Sequence, residues 1–369
     1  MENNHVTVLN IDLNAIDFNL NYFKSKLKKT TKLLVVVKAF GYGSSATKIA
    51  KYLAKKVDYF AVAYLDEGIA LRDVGIENPI LVLHPQKQNL EKIIENCLEP
   101  NIYTNSLLNS FIEVAKAKNL TNYPIHLKFN TGLNRLGFTK TDIPELISTI
   151  NKQQHIKVSS LFSHIAASED LNERDFTLQQ IDLFKHSSSE LISKLKNIPF
   201  QHMLNTSGII NYTEEAEFDM VRLGIGLYGF GNNEKETKRL KSVFRLTSVI
   251  SQIHTIKEGE TVGYNRAFKA TKTIKTATIP IGHADGISRQ LGNGIGYVFI
   301  NNQIAPIVGN VCMDMIMVDV SEINCNEGDE VVVYKNQQHI VDLAKKSNTI
   351  SYELLTAISQ RVNRRLTKF

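Results

Sequence analysis

Long apolar runs are missing from this 369-residue chain. No stretch approaches the ~18 continuous apolar residues of a membrane-spanning helix, so no membrane association is expected. Cysteine is scarce: Cys97, Cys312 and Cys325 are an odd number at unrelated spacings. They neither form a fully paired disulfide framework nor match zinc-ligand spacing, so reduced thiols and no metal centre are expected. The opening MENNHVTVLNIDL has neither a basic and then apolar leader nor an Arg-rich amphipathic pattern, which predicts a cytoplasmic location. A strong charge of one sign is absent too, since 43 Lys and Arg face 37 Asp and Glu for a net +6. The lysines are scattered without aromatic interleaving or a recognition-helix pattern, so no nucleic-acid partner is expected. What is present, 43% apolar residues in a chain of this length, suffices for one large domain or two ordinary ones.

From about residue 30 to 230, short β-branched apolar runs alternate with longer segments of helical period, the βα pattern of a parallel sheet. The runs are Leu33–Lys38, Tyr59–Ala63, Ile80–Leu83, Pro100–Tyr103, Ile125–Phe129, Val158–His164, His202–Asn205 and Met220–Leu223. Eight is the number that closes a barrel, and the eighth unit's helix is weak or missing. After Gly231 a polar run leads into alternating strands joined by Gly, Asn and charged turns, which predicts an all-β second domain. Two helical patterns, IVDLAKK and YELLTAISQRVNRRL, close the chain. The predicted class is therefore α/β: a (β/α)₈ TIM-like barrel (10–233) followed by a mostly-β domain (234–369). Residues 1–9 are expected to supply a lone strand to that second domain.

Active-site residues of such barrels stand at the C-terminal ends of strands and just beyond. Lys38 ends the first run, where desolvation would lower its pKa and free its amine as a nucleophile, and the glycine-flanked Tyr42 follows. Arg135 lies on a glycine-flanked loop after strand five, suited to a bidentate grip on a carboxylate. His164 ends strand six. Strand seven ends in Asn205 and Thr206, and Arg222, Gly224 and Ile225 belong to strand eight and its loop, where barrels most often bind phosphate. A lysine amine, a phosphate cradle and arginines at one mouth point to a pyridoxal 5'-phosphate site. His84 and Tyr103, at the ends of strands three and four, are read as structural residues, and Cys97 as inert packing on a helix.

The motifs VVVKAFGYG, KFNTGLNRLG, SHIAASED, NTSG, MVRLGIGLYGF, VGYNRAF, IPIGHADG, PIVGNVCMDM and ISYELLTAIS occur in the order and approximate spacing of the alanine racemases, and the resemblance covers nearly the whole chain. It implies a pyridoxal-phosphate isomerase that interconverts L- and D-alanine and, in a bacterium, supplies D-alanine to peptidoglycan. Position by position, Lys38 resembles the lysine that holds the cofactor and acts as one base, and Tyr264 the opposing base. Racemisation removes a proton from one face of a planar carbanion and delivers it to the other, so two bases must flank the α-carbon. In the family that tyrosine comes from the partner subunit, which implies a homodimer with shared sites, Met313 also reaching across and Asp314 orienting the tyrosine side. Arg135 matches the residue for the substrate carboxylate, and Lys128 a lysine often carbamylated to position it. Arg222 matches the residue facing the pyridine nitrogen, supported by His202 and Arg289. Tyr42, Thr206, Gly224, Ile225 and Tyr352 match phosphate-binding positions, with Asn205 beside them, and His164 lines the cofactor ring.

Three departures stand out. Phe40, Gly41 and Ser44 replace residues of the commoner loop, Asn130 stands where aspartate is usual, and His283 stands where many relatives carry a tyrosine at the entry channel. A histidine side chain changes charge near neutral pH, so an altered entrance and pH profile are expected. A decarboxylase of similar architecture would need an acidic group where MVRLGIG supplies Arg222. Racemisation of another small amino acid such as serine, and a non-catalytic cofactor carrier, are the alternatives, and Tyr264 argues against the carrier.

Overall fold

A computed structural model describes residues 5–368. Eight parallel strands close a barrel in chain order behind a first strand, β1 (Val8–Asp12), that lies outside it. They are β2 (Lys32–Val36), β3 (Tyr59–Val62), β4 (Ile80–Val82), β5 (Glu99–Ile102), β6 (Tyr123–Lys128), β7 (Ile156–Phe162), β8 (Phe200–His202) and β9 (Met220–Leu223). β9 pairs back onto β2, Leu34 opposite Arg222. The strands are nearly continuous buried runs, Leu33–Val36 for example, as expected where helices cover one face and the barrel interior fills the other. Between them, helices bury one stripe each, as with Leu107, Leu108, Phe111 and Ala115 of Asn105–Ala117.

The predicted (β/α)₈ class is borne out, including the weak eighth unit, where a 3₁₀ turn (Ile225–Tyr228) follows β9. Helix Leu13–Lys24 packs onto that turn. Its buried Asn19 donates from Nδ2 to the carbonyls of Leu227 (3.2 Å) and Lys241 (3.0 Å). Phe23 lies so close to Gly226 that an added Cβ would meet its ring at 2.5 Å.

The second unit is a nine-stranded sheet built from β10 (Phe244–Val249), β11 (Gln252–Ile256), β14 (Ile274–Ile279), β15 (Tyr297–Ile300), β16 (Gln303–Val308), β17 (Ile316–Asp319), β18 (Glu330–Tyr334), β19 (Asn363–Thr367) and β1. A small hairpin, β12 (Thr261–Val262) with β13 (Phe268–Lys269), stands beside it. β1 lies between β10, antiparallel, and β19, parallel. The first four residues of the expected 1–9 segment lie outside the described residues.

Three expectations are corrected. The closing pattern YELLTAISQRVNRRL is not one helix: Ser351–Thr356 is helical and Asn363–Thr367 is β19. The open edge of β1 needs a partner for its backbone groups, and that requirement overrides helical period. Cys97 is exposed at φ +51°, beyond helix Leu90–Glu95, so it packs nothing. Strands β2, β7 and β8 end two or three residues earlier than their apolar runs, placing Lys38, His164 and Asn205 on loops, where the chain leaves the ladder to turn across the mouth. The helical residues of the first βα connection begin only at Ala46, because the residues before it form a separate turn.

Candidate active site

That turn sets Lys38. Ala39, Phe40, Gly41, Tyr42 and Gly43 all have positive φ (52°, 55°, 65°, 52° and 84°), one turn of left-handed helix. Gly41 N–H donates to Val37 O (2.9 Å) and Gly43 N–H to Ala39 O (3.0 Å). Left-handed backbone costs roughly 1–2 kcal/mol for each residue carrying a Cβ, so Ala39, Phe40 and Tyr42 persist there only because surrounding structure holds them. Glu67 Oε1 accepts from Ala39 N–H (2.6 Å). From β19, the buried Arg364 donates from Nε to Gly43 O (3.0 Å), while its other nitrogens bond the carbonyls of Ile358, Ser359 and Val362. A Cβ on Gly43 would collide with Leu355 O, so glycine is required twice over. The turn carries Lys38 and Tyr42 to opposite parts of one cavity.

The cavity, about 520 Å³, opens at the C-terminal mouth of the barrel. Its lining includes Lys38, Tyr42, Lys128, Arg135, His164, Asn205, Thr206, Arg222, Gly224, Ile225 and Tyr352, all expected from sequence, together with Tyr64, His84, Asn101, Phe162 and Asn232. His84 is thus a wall residue, stacked on Tyr103 with ring centroids 5.8 Å apart.

One end of the cavity is cationic. Burial first, and Arg135 second, lower the pKa of Lys38, with Glu67 opposing. Burial pushes Lys128 down to about 8, helped by Arg135, Arg222 and Lys38. Arg222 is wholly buried, which pushes it down to about 9 and still leaves it charged at neutral pH. Arg222 Nη1 donates to His202 Nδ1 (2.7 Å), and Nη2 donates to Ser163 O (2.8 Å), Met203 O (2.9 Å) and His164 Nδ1 (3.0 Å). Burial and then Arg222 hold both His164 and His202 well below the usual imidazole range, so both are neutral acceptors. Arg135 sits on a finger closed by Asn130 N–H to Phe138 O and Phe138 N–H to Lys128 O, both 2.8 Å. Within it Asn130 Oδ1 accepts from Gly132 N–H (3.2 Å) and Asn134 N–H (2.9 Å), a task that asparagine performs as well as aspartate.

The other end is a cradle of neutral donors. Thr206 Oγ1 accepts from Gly224 N–H (3.3 Å) and Gly226 N–H (3.2 Å). A Cβ at Gly224 would come within 2.8 Å of the Tyr42 hydroxyl. Tyr352 Oη donates to Asn232 Oδ1 (2.7 Å). Burial raises the pKa of Tyr42 and Tyr352, keeping both hydroxyls protonated as donors. Hydroxyls and a glycine-lined backbone are the donor set a phosphate group needs, and a primary amine in the same cavity is what an aldehyde needs. The residues present therefore fit pyridoxal phosphate.

The remaining expected residues are not brought to this cavity by their own chain. Tyr264 is 73% exposed and Met313 59% exposed, both on the β domain. Asn310 Nδ2 donates to Tyr264 O (3.1 Å), so Asn310 holds the tyrosine's loop, a role without a sequence signal. Asp314 is engaged by Arg361 Nη2 (2.7 Å), whose Nε also bonds the buried Asp285 (2.6 Å). His283 is exposed, with its N–H on Cys312 O (2.9 Å). Arg289 is exposed on the β domain beside Cys312, while the side-chain partners of Arg222 within the chain are His202 and His164.

The chain matches the alanine racemase N-terminal domain over residues 11–231 and the alanine racemase C-terminal domain over residues 243–366. It belongs to the alanine racemase family. It is 36% identical over 355 residues to an alanine racemase of Fusobacterium nucleatum, covering 94% of this chain and 96% of the relative. The solved alanine racemase of Clostridium difficile superposes with a TM-score of 0.92 at 33% identity, covering 98% of this chain and 96% of that one. That of Bartonella henselae, solved with covalently bound pyridoxal phosphate, gives 0.88 at 30%, covering 98% and 99%.

Proposed function

We propose that this chain is a pyridoxal-phosphate-dependent alanine racemase that interconverts L- and D-alanine with two bases, Lys38 and Tyr264. The observation that carries this reading is the single cavity in which the Lys38 amine, the buried Arg222 and the Tyr42–Thr206–Gly224–Tyr352 cradle meet. When bound, the cofactor supplies an electron sink conjugated to the substrate's α-carbon. Lys38 would hold it covalently until the substrate's amine takes its place and frees the lysine, Tyr42, Thr206, Gly224, Ile225 and Tyr352 would hold its phosphate with Asn205 alongside, and His164 would line its ring. Arg222 would face the ring nitrogen, and because a guanidinium only donates hydrogen bonds it would favour a nitrogen that accepts.

Arg135 binds the substrate carboxylate. Lys38 Nζ, its pKa lowered by burial and by Arg135, removes or returns the α-proton on one face. Tyr264 Oη does so on the other. Lys128 lies among Lys38, Arg135 and Arg222, and carbamylation would turn its charge from repelling Arg135 to pairing with it. The exposure of Tyr264 and Met313 supports a homodimer in which each β domain completes the partner's mouth, with Asp314 and His283 beside the entrance. The described residues contain no helix long and apolar enough to cross a membrane. The reading places the enzyme in the cytoplasm, its D-alanine feeding peptidoglycan.

The test is purified protein with pyridoxal phosphate and L-alanine, followed by chiral analysis, with Lys38→Ala in parallel. D-alanine rising to an equal mixture, and lost by ~10³-fold or more in the variant, is the expected result. Bound cofactor with no D-alanine would contradict it.

A further inference from the structure

We propose that Glu99, His126 and Ser160 are positioning residues for Arg222, forming with His202 a one-way hydrogen-bond relay that ends in a carboxylate. The inference rests on the role given above to Arg222 and extends it away from the cavity. Barrel interiors are usually filled with layers of branched aliphatic side chains. Here four consecutive strands, β5 to β8, contribute a polar residue each: Glu99, His126, Ser160 and His202. Strand parity explains the layer. Glu99, His126 and Ser160 each lie two residues before a cavity-lining residue, Asn101, Lys128 and Phe162, so they point the same way one step deeper. His126 and Ser160 are register partners.

The contacts are continuous. Arg222 Nη1 reaches His202 Nδ1 at 2.7 Å, His202 Nε2 reaches Ser160 Oγ at 2.9 Å, Ser160 Oγ reaches His126 Nδ1 at 2.6 Å, and His126 Nε2 reaches Glu99 Oε2 at 2.6 Å. The proton positions follow from the ends inward. Arginine has no acceptor, so His202 Nδ1 accepts and its proton sits on Nε2. That N–H donates to Ser160 Oγ; the proposed relay then runs on by the serine's own proton to His126 Nδ1, with the His126 proton on Nε2 toward the Glu99 carboxylate. The Tyr59 hydroxyl also bonds Glu99. Every link donates toward Glu99, and such chains polarise cooperatively in a low-dielectric interior. The relay thus gives the buried guanidinium a distant counter-charge and fixes the tautomer of the imidazole that orients it. Phe162, stacked on His202 at 4.8 Å and 3°, locks the ring plane.

The test is long-range ¹H–¹⁵N spectroscopy of the histidine side chains in the holoenzyme at neutral pH. His126 and His202 are expected neutral with the proton on Nε2; an imidazolium or an Nδ1–H tautomer at either would overturn the relay. Ser160→Ala cuts the chain with little loss of volume. It should release the His202 tautomer and lower kcat about tenfold with the alanine KM within about twofold, the scale of carboxylate–histidine partner losses. Glu99→Gln, which keeps an acceptor oxygen and loses the charge, should fall between Ser160→Ala and wild type. Unchanged His202 signals and unchanged kcat in Ser160→Ala would contradict the proposal. The tautomers report the relay whatever Arg222 faces, whereas the cofactor absorption of Arg222→Lys reports the ring-nitrogen reading, so the two fail separately.

Discussion

The barrel mouth and the β-domain face that carries Tyr264 are built to opposite rules. At the mouth every proposed group is restrained: Lys38 by a left-handed turn clamped from β19, Arg222 by hydrogen bonds to His202, His164 and two carbonyls, Tyr352 by Asn232. On the β domain, Tyr264 and Met313 project into solvent from loops whose backbones are well held. One region is finished within the chain and the other is a rigid half. On the proposed reading, the chain prepares one proton-transfer group inside its own cavity and presents the other for a cavity elsewhere.

The contrast is broken most severely at the proton donors. Tyr264→Phe should lower racemisation by ~10²–10³-fold, the scale of a lost general base, while leaving cofactor absorption and melting temperature as in wild type, because the ring is exposed. At the restrained side, Arg222→Lys keeps the charge and loses the fork. It should cost ~10–10²-fold in kcat and alter cofactor absorption, read by titration with pyridoxal phosphate. His283→Tyr, on the exposed half, should shift the pH profile and alanine KM by about two- to threefold with kcat nearly unchanged; identical profiles would remove the entrance role.

Much of the mouth was legible because its chemistry is carried by residue types at strand ends: Lys38, Arg135, His164 and Arg222 follow from counting eight apolar runs. The left-handed turn was not. Gly41 and Gly43 advertise it weakly, and Ala39, Phe40 and Tyr42 are held there by Glu67 and Arg364, which are distant in sequence. Arg364 itself was hidden inside a helical pattern, since the need of β1 for a partner strand is a tertiary demand. Glu99, His126 and Ser160 share their strands with other polar residues, Asn101, Lys128 and Ser159 among them, and only closure of the barrel sets the three side by side. Arg289, which the resemblance assigns to the support of Arg222, lies exposed on the β domain of its own chain.

The smallest effect concerns Lys128. Its pKa is lowered to about 8, so folding favours the neutral amine. The penalty for burying the charge is fully present below about 8 and lifts as pH rises toward 10.5. In buffer free of carbon dioxide, Lys128→Met should melt a few degrees higher than wild type below pH ~8, the gap closing at higher pH. With bicarbonate, the intact mass of wild type should gain one carbon dioxide that the variant does not.

The most direct test of the central claim uses two crippled chains. Lys38→Ala and Tyr264→Phe are each expected to be nearly inactive; after unfolding and refolding together, a mixed dimer has one site with an intact Lys38 and the other chain's intact Tyr264. If the β domain completes the partner's mouth, racemisation should return to about a quarter of wild type, half the dimers being mixed and half their sites intact. No recovery from a demonstrably mixed dimer would mean that Tyr264 serves its own chain's cavity or none, and would contradict the account.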